Sequence, residues 1–290
     1  MLRRRGKLDA TLPGVKQSMY TFGAIIFVTS GTLHRVVFNV GRAYKTDYDD
    51  NGRLRVPACR NKVVKRVNRM NDAQFAKARR NMVDGQILPN RVTDDNVIAA
   101  MADLPREAFL PGSRRMLAYA DETVLIEDGR YLMQPMVLAR LLDVAEIKPQ
   151  DVAMAVGCAT GYGVAVLARL VDTVIAVEND ASMRSKAERT LGDLGVDNVA
   201  VVDGALAEGY PKDAPYDLIY VDGAVPEVPE GIARQLAEGG RLICVEMQPG
   251  RPVGRGVLVT RYGDSISKRE IFDAVEPLLP GFEKEAAFSF

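Results

Sequence analysis

The chain is 290 residues long, with 47% hydrophobic and 26% charged residues, which is typical of a soluble globular protein. Its three cysteines, Cys59, Cys158 and Cys244, are odd in number and far apart, which excludes a disulfide framework and a CxxC metal site. The single histidine, His34, excludes most histidine-based metal and catalytic-triad chemistry. We therefore expect a cytoplasmic protein, because unpaired cysteines are typical of a reducing compartment.

The net charge of zero conceals an uneven distribution along the chain. Residues 1–70 hold 15 Lys and Arg against 4 Asp and Glu, whereas residues 71–290 hold 23 against 34. The acidic part is a poor ligand for nucleic acid, because it repels the phosphates. The longest apolar run of the basic part, residues 22–28, is too short to span a bilayer. The sequence thus predicts neither a nucleic-acid nor a membrane partner, and it leaves the oligomeric state open.

The first part of the chain shows no helical or strand periodicity that is sustained enough to build a core. We predict that residues 1–70 are a basic N-terminal extension, either poorly ordered or ahead of a true start at Met70. Residues 71–290 then form the folded domain.

Helical patterns begin directly after Met70. Residues 72–87 predict an amphipathic helix capped by Asp72, and residues 94–104 predict a second one that begins at Asp94 or Asp95. Prolines interrupt residues 105–121, where we expect a loop and one short helix. Apolar residues return at helical spacing from Pro135, and proline is favoured in a first helical turn.

From residue 151 onwards, short apolar strands alternate with helices. This alternation predicts an α/β fold with a doubly wound, mostly parallel sheet and the N-terminal helices packed on it. The predicted strands are 151–156, 173–178, 198–203, 216–222 and 241–246, the predicted helices are 163–171, 181–195 and 230–240, and two further strands are predicted at 256–262 and 285–290.

Acidic and glycine residues follow the strands of this predicted sheet. The first strand runs into residues 157–161, GCATG, and the next three are followed or ended by Glu178, Asp203 and Asp222. Each carboxylate taken alone is also explained as a helix N-cap. Together they predict a ligand site at the carboxyl ends of the strands, where such sheets bind ligands.

The spacing of the loop distinguishes two nucleotide ligands. A dinucleotide loop, G-x-G-x-x-G, would require glycine at Tyr162, so an NAD-dependent oxidoreductase is the weaker interpretation. Gly157, Ala159 and Gly161 instead match the G-x-G-x-G loop of S-adenosylmethionine-dependent methyltransferases. Glu178 suits ribose hydroxyls in either case, because a carboxylate accepts two hydrogen bonds.

Several longer stretches resemble the protein-L-isoaspartate O-methyltransferase family, most closely the short form of alphaproteobacteria. They include ARRNMVDGQI (78–87), PREAFLP (105–111), GRYLMQPMVLARLL (129–142), VGCATGYGVAVLARL from Val156, and AVEND (176–180). The resemblance covers roughly residues 76–290. It implies a class I, Rossmann-like methyltransferase that uses S-adenosyl-L-methionine to methylate isoaspartyl carboxylates in damaged proteins, as a step of their repair.

The resemblance also implies roles for individual residues. Gly157 and Gly161 would border the methionine part of the cofactor, and Ala159 between them would also be a cofactor-binding residue. Glu178 would hold the ribose, and Asp203 with Gly204 would lie at the adenine.

Three positions depart from the family pattern. Ala155 replaces an acidic residue at the strand end, Ala159 replaces the middle loop glycine, and Met133 replaces the serine of G-x-T-I-S-Q-P. A lost charge-assisted hydrogen bond costs about 1.5–3 kcal/mol, which weakens binding roughly ten- to a hundredfold. An alternative hypothesis is therefore a weakened or inactive homologue that acts as a binding or partner protein.

No residue of the sequence stands out as the catalytic group. Gln134 and Asp121 are weak candidates, and structural roles explain both equally well. Cys158 lies in the loop without a neighbouring histidine in the sequence, so we expect it to be a small packing residue. Orientation and desolvation supply most of the rate, because a carboxylate is a nucleophile at neutral pH without a general base.

Overall fold

The structure, a computed structural model, divides the chain into two compact units, Met1–Val67 and Asn68–Phe290. The described parts are residues 70–127, 129–248 and 250–282, together with the backbone of the strands at 15–21, 24–29, 32–37, 47–48 and 54–55.

The first unit contains five strands that the sequence does not predict. Strands β1 (Val15–Thr21), β2 (Ala24–Thr29) and β3 (Thr32–Val37) form an antiparallel sheet in chain order. Strands β4 (Asp47–Tyr48) and β5 (Leu54–Arg55) form a second antiparallel pair. Whether residues 1–70 are a basic extension or precede a true start at Met70 stays a prediction.

The second unit begins with helix α1, Asp72–Met82. Asn71, and not Asp72, caps this helix, so the predicted cap is wrong by one residue. The Asn71 side chain accepts a hydrogen bond from the Gln74 amide, and the Gln74 side chain accepts one from the Asn71 amide, each at 2.9 Å. This capping box leaves Asp72 in the first turn, where its charge favours the helix dipole.

The remaining N-terminal elements follow the predicted order with shorter bounds. A π-helical turn, Val83–Ile87, continues α1, and α2 (Asp95–Asp103) is capped by Asp94 as expected. Residues 105–121 form two 3₁₀ turns, Arg106–Phe109 and Arg115–Leu117, rather than one helix. A hairpin that the sequence does not predict joins them to the next helix; its strands are β6 (Val124–Glu127) and β7 (Arg130–Leu132), and the helix is α3 (Pro135–Val144).

A seven-stranded sheet forms the centre of the second unit, in the order β10-β9-β8-β11-β12-β13-β14. The first five strands of this order are parallel, while β13 is antiparallel to both of its neighbours. The strands are β8 (Val152–Val156), β9 (Thr173–Val177), β10 (Val199–Val202), β11 (Tyr216–Val225), β12 (Leu236–Glu246), β13 (Gly254–Tyr262) and β14 (Ser265–Ala274). The strand order reverses between β8 and β11, where such sheets place their ligands.

Helices cover the two faces of the sheet unequally. Helices α4 (Tyr162–Ala168) and α5 (Ala181–Asp193) pack, with α1 to α3, into one apolar cluster. The second face is covered by the short helix α6 (Glu230–Ala233) and by loop residues such as Leu206. This architecture is a doubly wound, mostly parallel α/β fold, as the sequence predicts.

Two predictions at the end of the chain differ from the structure. The predicted helix 230–240 ends at Ala233. Leu236 pairs with Tyr216 instead, and the residues from Leu236 onwards form β12. Strand β14 was not predicted, and its first six residues are exposed. The predicted strand at 285–290 lies outside the described residues.

The assignment of the α1 cap can be checked by mutation. Asn71→Ala removes a side-chain acceptor from the capping box, so we expect the free energy of unfolding to fall by about 0.5–2 kcal/mol. Asp72→Ala, the matched control, should cost only a few tenths of a kcal/mol, as an exposed charge near a helix dipole does. Chemical denaturation of both variants measures the difference, and a larger effect of Asp72→Ala would contradict the assignment.

Candidate functional site

The glycine loop between β8 and α4 takes up left-handed backbone conformations at alternate positions. The φ angles are +79° at Gly157, +47° at Ala159 and +96° at Gly161. Glycine adopts such angles freely, whereas a residue with a β-carbon is strained by about 1–2 kcal/mol. The loop therefore keeps the conformation of a glycine loop even where it carries alanine.

Glu178, directly after β9, is fully buried behind this loop. Its carboxylate accepts hydrogen bonds from the Ala159 amide at 2.8 Å and from the Asp180 amide at 3.1 Å. Arg130 donates two more, from Nη1 and Nη2, each at 2.7 Å. Glu178 thus lies at the predicted strand end, but four donors already surround it.

Arg130 connects the β6–β7 hairpin to the sheet. Besides its two bonds to Glu178, its Nη2 donates to the Gly157 carbonyl at 2.8 Å, and the residue is only 6% exposed. Sequence reasoning missed this residue. The glycine at 129 and the arginine after it lie in the segment that carries the family resemblance, but nothing in their spacing indicates a partner in β9.

Asp203 and Gly204 lie at the end of β10, on the other side of Glu178. The Asp203 carboxylate is largely exposed and accepts a hydrogen bond from Arg184 at 2.6 Å. A cleft of about 430 Å³ is lined by residues that include Ala207 and Phe282. The structure therefore leaves Asp203 accessible to a ligand while it buries Glu178.

Gln134 and Asp121 are brought together, as a structural pair. The Gln134 side-chain amide donates to Asp121 Oδ1 at 2.8 Å, and its backbone amide donates to Glu276 at 3.0 Å. Met133 is buried beside them, with its sulfur 3.7 Å from the Tyr220 hydroxyl. The predicted catalytic candidates thus hold the hairpin and the C-terminal segment in place.

Two buried carboxyls lie close to this group: Asp222, which the sequence places at the predicted ligand edge, and Glu276, which it does not. Burial raises the pKa of Asp222 to about 6, although the hydrogen bond that the Tyr220 hydroxyl donates at 2.7 Å lowers this pKa. Burial also raises the pKa of Glu276 to about 7, although hydrogen bonds from the Gln134 amide and the Thr123 hydroxyl lower this pKa. The charge of Asp222 raises the pKa of Glu276 further.

A buried arginine fixes the backbone at Met133. Arg106 donates from Nη2 to the Met133 carbonyl and from Nε to the Ala118 carbonyl, each at 2.6 Å. Its guanidinium lies 4.7 Å from the ring centroid of Tyr162, and burial lowers its pKa. Arg106 is a second functional-site residue that local sequence patterns do not reveal.

Residues 276–282, which we call the C-terminal strap, cross the carboxyl edge of the sheet. The strap pairs with the end of β11, because the Leu279 amide donates to the Ala224 carbonyl at 2.7 Å. A β-carbon added to Gly157 would lie 2.4 Å from the Leu279 side chain, and one added to Gly223 would lie 2.1 Å from it. Leu279 thus packs directly on the glycine loop.

The hairpin and the strap leave little space between them. The cavity lined by Arg130, Met133, Asp222 and Leu279 has a volume of about 10 Å³, which is room for a single water molecule at most. The structure therefore shows a closed form of the site, in which side chains of the protein fill the carboxyl edge beside Gly157.

Two further positions of the loop region are packing residues. Ala155 is fully buried in β8 between Ala176 and Tyr220 of the neighbouring strands. Cys158 is 1% exposed, and burial raises the pKa of its thiol, so it is no nucleophile. Within the described residues, no group of three or more His, Cys, Asp or Glu side chains is arranged to hold a metal ion.

Comparisons of the sequence with known proteins identify one family. The sequence model of the family described as Protein-L-isoaspartate(D-aspartate) O-methyltransferase matches residues 76–255. The chain is 39% identical over 188 residues to the protein-L-isoaspartate O-methyltransferase of Koribacter versatilis, covering 65% of this chain and 82% of that protein. It is 34% identical over 208 residues to the protein of the same name from Roseiflexus castenholzii, covering 71% and 94%.

Solved structures show the same fold. A protein-L-isoaspartate O-methyltransferase structure matches with a TM-score of 0.61 and 26% identity, covering 70% of this chain and 67% of that one. A putative protein of this kind from Plasmodium falciparum, in complex with S-adenosyl-L-homocysteine, matches with a TM-score of 0.58 and 21% identity, covering 70% and 98%.

The strain at Ala159 leads to a stability prediction. Ala159→Gly removes the strained β-carbon and adds about 0.4–1 kcal/mol of backbone entropy to the unfolded chain. We expect a net stabilisation of up to about 1 kcal/mol in denaturant unfolding. Ala200→Gly, at an exposed position of β10, serves as the control and should destabilise the protein. Equal losses in the free energy of unfolding for the two variants would contradict backbone strain at Ala159.

The raised pKa of Glu276 predicts a pH dependence of stability. An unfolded glutamate ionises near its ordinary pKa, while the folded one ionises near 7, so folding binds a proton and stability falls as pH rises between these values. Relative to Glu276→Gln, we expect the wild-type protein to lose roughly 3 kcal/mol between pH 4.5 and 7. Unfolding curves measured across this range test the difference, and parallel curves for the two proteins would contradict it.

Proposed function

Since the chain belongs to the protein-L-isoaspartate(D-aspartate) O-methyltransferase family, we propose that it methylates isoaspartyl carboxylates in damaged proteins with S-adenosyl-L-methionine as the methyl donor. The observation that carries this proposal is the family match over residues 76–255, which spans the glycine loop and Glu178. The other interpretation of the sequence, an inactive binding homologue, has no support in the comparisons.

The residues at the carboxyl edge match the chemistry of the proposed cofactor, although the closed form leaves it no space beside Gly157. The loop 157–161 offers backbone in glycine-like conformations, and the Glu178 carboxylate lies 2.8 Å from the loop amide of Ala159. We assign Gly157, Ala159 and Gly161 to the methionine part, Glu178 to the ribose, and Asp203 with Gly204 to the adenine. S-adenosyl-L-methionine supplies an activated methyl group on its sulfonium.

The protein itself contributes orientation and the exclusion of water. Leu279 and Met133 form apolar walls beside the loop, and both are less than 5% exposed. The acceptor carboxylate is ionised at neutral pH, so a general base is unnecessary. Binding both reactants in such a dry, shaped site converts their encounter into an effectively unimolecular step.

The partners of the proposed enzyme are damaged proteins and peptides that contain isoaspartyl residues. No helix in the described parts of the chain is long and apolar enough to cross a bilayer. The cytoplasmic location and the lack of a nucleic-acid partner stay predictions, based on the unpaired cysteines and on the acidic charge of residues 71–290.

Calorimetric titration of the full-length protein with S-adenosylhomocysteine tests the cofactor site. We expect Glu178→Gln to weaken binding about ten- to a hundredfold, because the ribose loses a charged acceptor. Glu188→Gln, an exposed carboxylate on α5, is the matched control and should bind as the wild type does. Circular dichroism confirms that each variant is folded.

A methyl-transfer assay on an isoaspartyl peptide, with the same peptide containing aspartate as control, tests the reaction. We expect transfer to the isoaspartyl peptide alone. Folded wild-type protein that binds S-adenosylhomocysteine but methylates neither peptide would overturn the proposed activity.

A further inference from the structure

Met133 lines the cavity between the hairpin and the strap and offers no hydrogen-bond donor to it. Methionine cannot donate to a carboxylate. Arg130 lies on the same hairpin and lines the same cavity. Its guanidinium is a planar fork that matches the two oxygens of a carboxylate, the group that the proposed acceptor presents.

Arg130 is engaged elsewhere in the closed form. Each oxygen of Glu178 receives one hydrogen bond from Arg130 and one from a backbone amide, of Asp180 on Oε1 and of Ala159 on Oε2. A carboxylate offers about four acceptor positions, so Glu178 has none left for a ribose hydroxyl. The two amides belong to the backbone of the loop and of the α5 N-terminus, whereas Arg130 is a side chain that can leave.

We propose that Arg130 serves two carboxylates in turn. In the closed form, Arg130 binds Glu178. When the ribose hydroxyls of the cofactor replace Arg130 on Glu178, Arg130 binds the isoaspartyl carboxylate of the acceptor. This rests on the proposed function, since it takes a ribose-bearing cofactor and an isoaspartyl peptide as the two ligands. Arg130 is thus a residue that couples the binding of one ligand to the binding of the other.

The surroundings of the cavity favour the acceptor as the second partner. A guanidinium released from Glu178 faces Met133, Gly223 and Leu279, among which an unpaired cation is unfavourable. The acidic side chains that line this cavity, Asp222 and Glu276, already accept hydrogen bonds from other groups.

Calorimetric titration of the full-length protein with two ligands tests the proposal. S-adenosylhomocysteine is titrated first, and an isoaspartyl peptide is then titrated into the loaded protein. For Arg130→Gln we expect the Kd of S-adenosylhomocysteine to fall about tenfold, because Glu178 is free to bind it. We expect the Kd of the peptide to rise about ten- to a hundredfold, because a charge-assisted pair is lost. A residue with a structural role alone would not move the two constants in opposite directions.

Two further variants separate the proposal from simpler explanations. Arg169→Gln, which removes an exposed arginine paired with Asp103, should change neither constant. Leu279→Ala enlarges the cavity without touching the ion pair, so it should not lower the Kd of S-adenosylhomocysteine and raise that of the peptide together. If Leu279→Ala moved the two constants in opposite directions as Arg130→Gln does, the effect would be one of opening alone and the proposal would be wrong.

Arg130→Lys covers the case in which the glutamine variant does not fold, because it retains a charge opposite Glu178. This variant should weaken peptide binding, since a lysine ammonium cannot form the bidentate contact with a carboxylate. Unchanged peptide binding in this variant, or S-adenosylhomocysteine binding that Arg130→Gln leaves unchanged or weaker, would overturn the proposal. Wild-type protein that binds neither ligand would instead contradict the proposed function.

Discussion

The buried ion pair between Arg130 and Glu178 holds the carboxyl edge of the sheet together. It joins the β6–β7 hairpin to the end of β9, and the additional bond from Arg130 to the Gly157 carbonyl includes the glycine loop. Removing one partner of such a pair costs about 3–5 kcal/mol, because the other charge stays buried and unpaired. The same pair, replaced by two apolar side chains, would cost far less, so its presence is better explained by function than by stability.

The closed form of the site depends on apolar packing as much as on this ion pair. The strap brings Leu279 so close to Gly157 and Gly223 that a β-carbon at either glycine would clash with the Leu279 side chain. A cofactor that approaches the loop from this side must displace Leu279 as well as Arg130. The Asp203 carboxylate is largely exposed in contrast, so the carboxyl edge is closed beside Gly157 and accessible at Asp203.

The departures from the family pattern act at different levels of the structure. Ala159 keeps the positive φ of a glycine and stores strain in the loop, whereas Ala155 is absorbed into the packed interior of the sheet. Met133 contributes its backbone to Arg106 and its side chain to an apolar wall, but no donor. All three side chains are buried in the interior of the second unit.

The sequence by itself determined the central architecture and the position of the site. Short apolar strands such as Val152–Val156 and Thr173–Val177 encode their burial locally, and a glycine loop and a carboxylate after them mark the carboxyl edge. Only the tertiary structure decided that Arg130 meets Glu178, that Leu279 covers Gly157, and that Leu236 begins β12 by pairing with Tyr216. These contacts join residues that are distant in the chain, and hydrophobic periodicity records whether a residue is buried but not which partner it meets.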